Sequence, residues 1–150
     1  MKLTKPYDSL EDTLLMLKKQ VRDSVPFAAK VLPAGRMTPE AIFRWLKSRV
    51  IYCNDPDGVE LLQSMPTLLS YNNRHGVPGC GDCDCFTISA LACLIAKGYG
   101  DSVGIYLVGR SKQAPVHIYA AIFHKPFDLT NNNLGQERGY PYKQYLDFRL

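Results

Sequence analysis

The sequence predicts an α+β domain: N-terminal helices, a central buried helix carrying a cysteine, and a small antiparallel sheet. Two observations carry that expectation. Apolar residues recur three and four apart over the first hundred positions, and beyond residue 102 the pattern changes to strands separated by turn residues. At 150 residues the chain is expected to form a single domain, 1–150, with its core at about 39–130.

Ser9 and Asp12 have the spacing of a capping box, and Leu10, Leu14, Leu17 and Val21 follow on one face. A helix is expected from about 9 to 24, ending before Pro26. Pro33, Gly35 and Pro39 mark a loop, and Thr38-Pro39 reads as an N-cap followed by proline at the first helical position. The helix so opened directs Ile42, Phe43, Trp45, Leu46 and Val50 toward a core. A turn is expected from Asn54 to Gly58, then a short helix over "VELLQS" closed by Pro66. Residues 71 to 82 read as an irregular loop. In "CDCFTISALACLIAKGYG" Ile88, Leu91, Ala92 and Ile95 keep helical spacing, and Gly98 stands where a helix ends. That helix is apolar on most sides, so it is expected to be buried. Strands follow at 102–109, 116–123 and 127–130, and the tyrosine-rich tail is expected to cover a sheet edge.

The net charge of +4 is mild and its basic residues are scattered, which argues against a nucleic-acid partner. No apolar segment is long enough for a membrane span. "MKLTKPYDSLED" lacks the apolar stretch of an export signal, so a cytoplasmic location is expected, or a virion-associated one if the chain is phage-encoded. Its five cysteines, Cys53, Cys80, Cys83, Cys85 and Cys93, are then expected to stay reduced.

"GCGDCDCF" places Cys83 where a helix starts. Unpaired backbone N–H groups and the positive end of the helix dipole stabilise a thiolate there, so its pKa is expected to fall below roughly 8.5. Gly79 and Gly81 leave room for a substrate to approach the thiol. Cys53, Cys85 and Cys93 read as small core residues; Cys80 stays open between the two roles. A nucleophile needs a base, and His117 on a strand is better positioned than His75 in a loop or His124 in a turn. "FDLT" returns a carboxylate, Asp128, on the next strand. Cysteine, histidine and aspartate in this order form the arrangement that activates a nucleophile. A hairpin turning at 124–126 would, however, pair His117 with about Asn133 and put Asp128 on the opposite face. An earlier turn or a bulge would restore Asp128; otherwise Asn131 or Asn133 would orient the ring.

"GCGDCDCFTISALACLIAKG", "VHIYAAI" and "FDLT" together resemble the core of the transglutaminase-like superfamily, relatives of papain-like cysteine peptidases. The resemblance covers roughly residues 60 to 130. It implies a papain-like fold with Cys83 as nucleophile, His117 as base and Asp128 as orienter, and no cofactor. "LLQSMP" is similar to a segment upstream in some members, which implies Gln63 as an oxyanion donor. Cys85 departs from the family pattern, which often has an acidic residue there. The expected activity is acyl transfer at a peptide or isopeptide carboxamide, hydrolytic or transamidating. A protein tail or a peptidoglycan peptide would be the partner.

Two other readings compete. Cys80, Cys83 and Cys85 with His75 or His117 would bind structural zinc, although no second Cys/His pair at matched spacing accompanies Cys80-x-x-Cys83. Alternatively the fold serves as a catalytically inactive binding or virion-structural module.

Overall fold

The structure, a computed structural model, describes residues 10–54, 62–71 and 73–150. Its elements are α1 (Leu10–Val31), α2 (Pro39–Lys47), β1 (Ile51–Tyr52), α3 (Met65–Leu68), β2 (Cys80–Gly81), α4 (Cys83–Ala96), β3 (Val103–Gly109), β4 (Pro115–Ile122), β5 (Lys125–Phe127) and β6 (Tyr142–Asp147). This is an α+β arrangement with a four-stranded antiparallel sheet in the order β5-β4-β3-β6. No helix among the described residues is long and apolar enough to cross a membrane.

The central helix is buried as its composition requires. Every residue of α4 from Cys83 to Leu94 is buried. It packs between α1 and one face of the sheet, where Ile105, Leu107, Ile118, Ala120, Ile122 and Phe127 join its core. Full burial of such a side chain stabilises by roughly 1.5–3 kcal/mol. The alternate residues Tyr106, Val108, Tyr119 and Ala121 project from the other face and pack with Tyr140 and Tyr145. At the end of α4, Gly98 takes φ +95°, and the N–H groups of Gly98 and Tyr99 donate to Ile95 and Leu94. That is the left-handed cap a glycine allows.

Local signals hold at α2, where the Thr38 hydroxyl accepts from the Ala41 N–H at 3.1 Å with Pro39 behind it. At Pro26 they do not. The first helix continues through it to Val31, because Ala28 is buried beyond the proline and Leu32 packs there too. Tertiary burial outweighs the lost N–H. Ser24, one turn earlier, donates to the Gln20 carbonyl at 2.6 Å and accepts from the Met65 N–H at 2.9 Å, tying α1 to α3. Pro66 opens α3, inside the first turn after Ser64, where it was expected to close a helix. Ser9, the turn beyond Asn54 and the start of "VELLQS" lie outside the described residues.

The tail supplies β6, which pairs with β3 and covers that edge. Between β4 and β5 the loop is two residues, Phe123 and His124, both left-handed at φ 50° and 63°. This is the backbone of a type I′ hairpin turn, which Asn and Gly normally occupy. Contacts hold the bulky residues there: Phe123 meets the Tyr99 ring edge-on at 6.2 Å, and His124 stacks on Tyr145 at 4.2 Å. Phe123 is nonetheless largely exposed. Phe123→Asn should therefore raise stability by about 0.5–1 kcal/mol, read as a higher urea midpoint at unchanged slope.

Candidate functional site

Asp82 caps α4, its carboxylate accepting from the Asp84 N–H at 3.2 Å, and Cys83 is the first helical residue. The start of α4 meets β4 where β5 does not reach. Pairing with β5 ends at Ala120 opposite Phe127, leaving the earlier edge of β4 to the helix. There the Thr87 hydroxyl bridges the Cys83 carbonyl at 2.7 Å and the Ile118 carbonyl at 3.3 Å. The Ile118 N–H faces the Cys83 sulfur. His117 is the preceding residue of the same strand.

The His117 Nε2 lies 2.7 Å from Asp128 Oδ2. The early turn makes this possible. Ala120 opposite Phe127 sets a register in which His117, Tyr119 and Asp128 share a face. Turning at 123–124 rather than 124–126 reverses the parity, so Asp128 and not an asparagine meets the ring. Asn133 instead engages Gln136 in an exposed loop. Asn131 is buried behind the carboxylate, its amide donating to Asp128 Oδ2 at 3.3 Å and to the Gln136 carbonyl at 2.9 Å.

Thr130 completes the brace. Its N–H donates to Asp128 Oδ1 at 3.0 Å and its hydroxyl to the same oxygen at 2.8 Å. Burial would raise the Asp128 pKa, but the His117 contact and the two Thr130 bonds outweigh it and hold the carboxyl below its usual range. An ionised carboxylate only accepts, so the shared proton belongs on His117 Nε2. In the neutral ring Nδ1 is then the bare, basic nitrogen. Tyr119 and Tyr140 flank the imidazole at 5.3 and 6.4 Å between ring centres. The Tyr119 hydroxyl donates to Glu137 at 2.7 Å, which Lys143 also grips at 2.8 Å. "DLTNN" carried a signal for the brace, because an aspartate commonly accepts from the backbone two residues on; the Tyr119–Glu137 link had none.

The thiol differs from expectation. Burial pushes the Cys83 pKa well above its ordinary value, and the Asp84 and Asp82 carboxylates push it further. The acids that satisfy the helix start thus oppose the dipole effect that was expected to lower it. Cys85 and Cys93 are buried thiols, as expected of core residues, each pushed up to about 12, chiefly by burial.

Cys53 and Cys80 are joined in a disulfide with Cα atoms 5.4 Å apart. Neither a core role for Cys53 nor a fully reduced set of thiols therefore holds. Parallel pairing of β1 with β2 brings the two residues together, Ile51 lying opposite Cys80. The bond also removes Cys80 from the zinc set, and no cluster of three metal-ligating side chains occurs among the described residues. Gln63 is buried, but its amide donates to the Cys80 carbonyl at 3.3 Å and contacts Cys85 Sγ at 3.8 Å. Its carbonyl accepts from the Arg74 N–H at 3.0 Å. Gln63 thus meets the loop and Cys85, not Cys83, in these contacts. His75 donates its backbone N–H to Asn73, and His124 occupies the hairpin turn.

Gly79 and Gly81 serve packing rather than substrate access. Gly79 has φ +82°, and a Cβ there would lie 1.9 Å from the Arg49 carbonyl oxygen. A Cβ on Gly81 would meet Leu68 and Cys85 within 2.9 Å. No family model, curated protein or solved structure matches the chain.

Proposed function

We propose that the chain is a thiol-dependent acyl-transfer enzyme of papain-like or transglutaminase-like type, acting as a peptidase or amidase on a peptide or isopeptide bond. One observation carries the reading. The His117–Asp128 pair, 2.7 Å apart and braced by Thr130, adjoins the residue whose N–H faces the Cys83 sulfur.

The raised thiol pKa selects the order of events. Cys83 rests protonated, so His117 Nδ1 removes its proton as sulfur attacks the carboxamide carbon, rather than from a preformed ion pair. A C–S bond forms while the carbonyl π pair moves to oxygen. Backbone N–H groups at the start of α4 are suited to that oxyanion; Gln63, engaged with Cys80 and Cys85, supports the loop instead. Collapse expels the amine, which takes the proton from His117. Water, deprotonated by His117, then releases the acid from the thioester and restores the thiol. Asp128 keeps Nε2 protonated throughout and stabilises the imidazolium.

Turnover of peptide and peptidoglycan-fragment substrates by wild type and Cys83→Ala tests this. The variant should lose at least about 10³-fold. Equal rates would refute the reading. A second reading, an inactive binding module, draws on the 2 % exposure of Cys83. It predicts that iodoacetamide labels Cys83 equally slowly in wild type and Asp128→Asn, whereas proton removal by His117 predicts faster labelling in wild type.

A further inference from the structure

We propose that the Cys53–Cys80 disulfide is an oxidative latch on the segment that carries Cys83: formed, it holds the strand leading into α4; reduced, it releases that strand. Only the expected effect on turnover rests on the acyl-transfer reading.

The disulfide ties together the two strands of a very short ladder. β1 and β2 are two residues each, joined by the Ile51 N–H to Gly79 and the Cys53 N–H to Gly81, both at 2.8 Å. So short a ladder is marginal by itself, and Ile51 and Tyr52 are half exposed. Beyond the ladder, the segment is held by the Gly79 and Cys80 N–H groups, donating to the carbonyls of Leu68 at 2.6 Å and Val77 at 3.1 Å. Amides from Asn73 at 2.9 Å and Gln63 at 3.3 Å hold the Cys80 carbonyl, and Gly81 packs on Leu68 and Cys85. The latch thus adds a covalent tie between β1 and β2 to contacts made largely within residues 63–85. The covalent bond spans 27 residues of sequence and ends three positions before Cys83. Closing a loop of that length restricts the unfolded chain strongly. Cys80 is buried while Cys53 is half-buried, so the Cys53 end of the bond is the less enclosed of the two.

Formation requires a disulfide oxidant, for which oxidised glutathione suffices. One protein thiolate attacks it, and half of the oxidant leaves as a thiol. The second protein thiolate displaces the other half, closing the protein S–S bond. Two protons and two electrons pass from the cysteines to the oxidant, which ends as two thiols. A dithiol reverses both exchanges.

The test uses the full chain reduced with dithiothreitol and then reoxidised with glutathione disulfide. Alkylation in denaturant followed by intact mass should count five thiols before oxidation and three after it, with a Cys53–Cys80 cross-linked peptide. The thermal midpoint should fall by about 5–10 °C in the reduced form, and equally in Cys53→Ser/Cys80→Ser. Turnover should fall at least about tenfold in both. Five free thiols after oxidation, or equal midpoints for the two redox forms, would overturn the latch. If mass and melting behave as expected while wild type and Cys83→Ala turn over substrate equally, the latch stands and only the catalytic reading falls.

Discussion

Asp128→Asn should reduce the proposed acyl transfer by about 10⁴-fold while leaving the domain folded, the loss seen when a triad aspartate is so changed in serine proteases. Geometry explains why this conservative change is severe. Both Thr130 donors point at Oδ1, so the asparagine oxygen remains on that side. Its NH₂ must then face His117 Nε2, where the carboxylate accepted at 2.7 Å. A donor there forces the ring proton onto Nδ1, leaving no lone pair for the thiol. Nitrogen-15 shifts of the His117 ring would report the exchanged tautomer independently of turnover. An unchanged ring spectrum with full activity would remove Asp128 from the mechanism. The substitution also alters the acid limb of stability. The folded carboxyl titrates below its ordinary 3.8, so its contribution is complete above that value and is lost as pH falls through the lower, folded pKa. Wild type should lose this increment below about pH 4, and the asparagine variant should not.

Gly79→Ala is expected to be the most destabilising single methyl in the region, on the order of 3 kcal/mol, measured by urea unfolding. Two penalties coincide. The backbone at φ +82° is one that alanine rarely adopts, and the new Cβ would overlap the backbone oxygen of Arg49. That oxygen belongs to the turn between α2 and β1, which cannot move without disturbing the Gly79 carbonyl that accepts from Ile51. A loss below 1 kcal/mol would mean that this crossing is looser than described.

Where a rule acts within one turn of chain, the sequence was a sufficient guide. Thr38-Pro39 opens α2 and Gly98 closes α4 because each satisfies backbone groups within a few residues. The apolar run from Ile88 was legible as a buried helix for the same kind of reason. Pro26 misled because the burial of Ala28 depends on elements far away in sequence. The hairpin turn was hidden because Phe123 and His124 are poor left-handed residues, while Pro126 draws attention to a later position. That displacement decided whether Asp128 or an asparagine would meet His117. Cysteine spacing did not reveal the disulfide, since the pairing depends on two strands too short to show a period. Nor did it show how far burial would oppose ionisation of Cys83.

The two packing clusters give the candidate site an uneven tolerance to change. The imidazole lies against Tyr119 and Tyr140, whereas the sulfur, which faces the next residue along the strand, is embedded in the packing around α4. Sequence drift around the ring draws on the smaller cluster of Tyr106, Val108, Tyr119 and Ala121. Drift around the sulfur draws on the same atoms that keep the chain folded, so selection on chemistry and selection on foldability act together there.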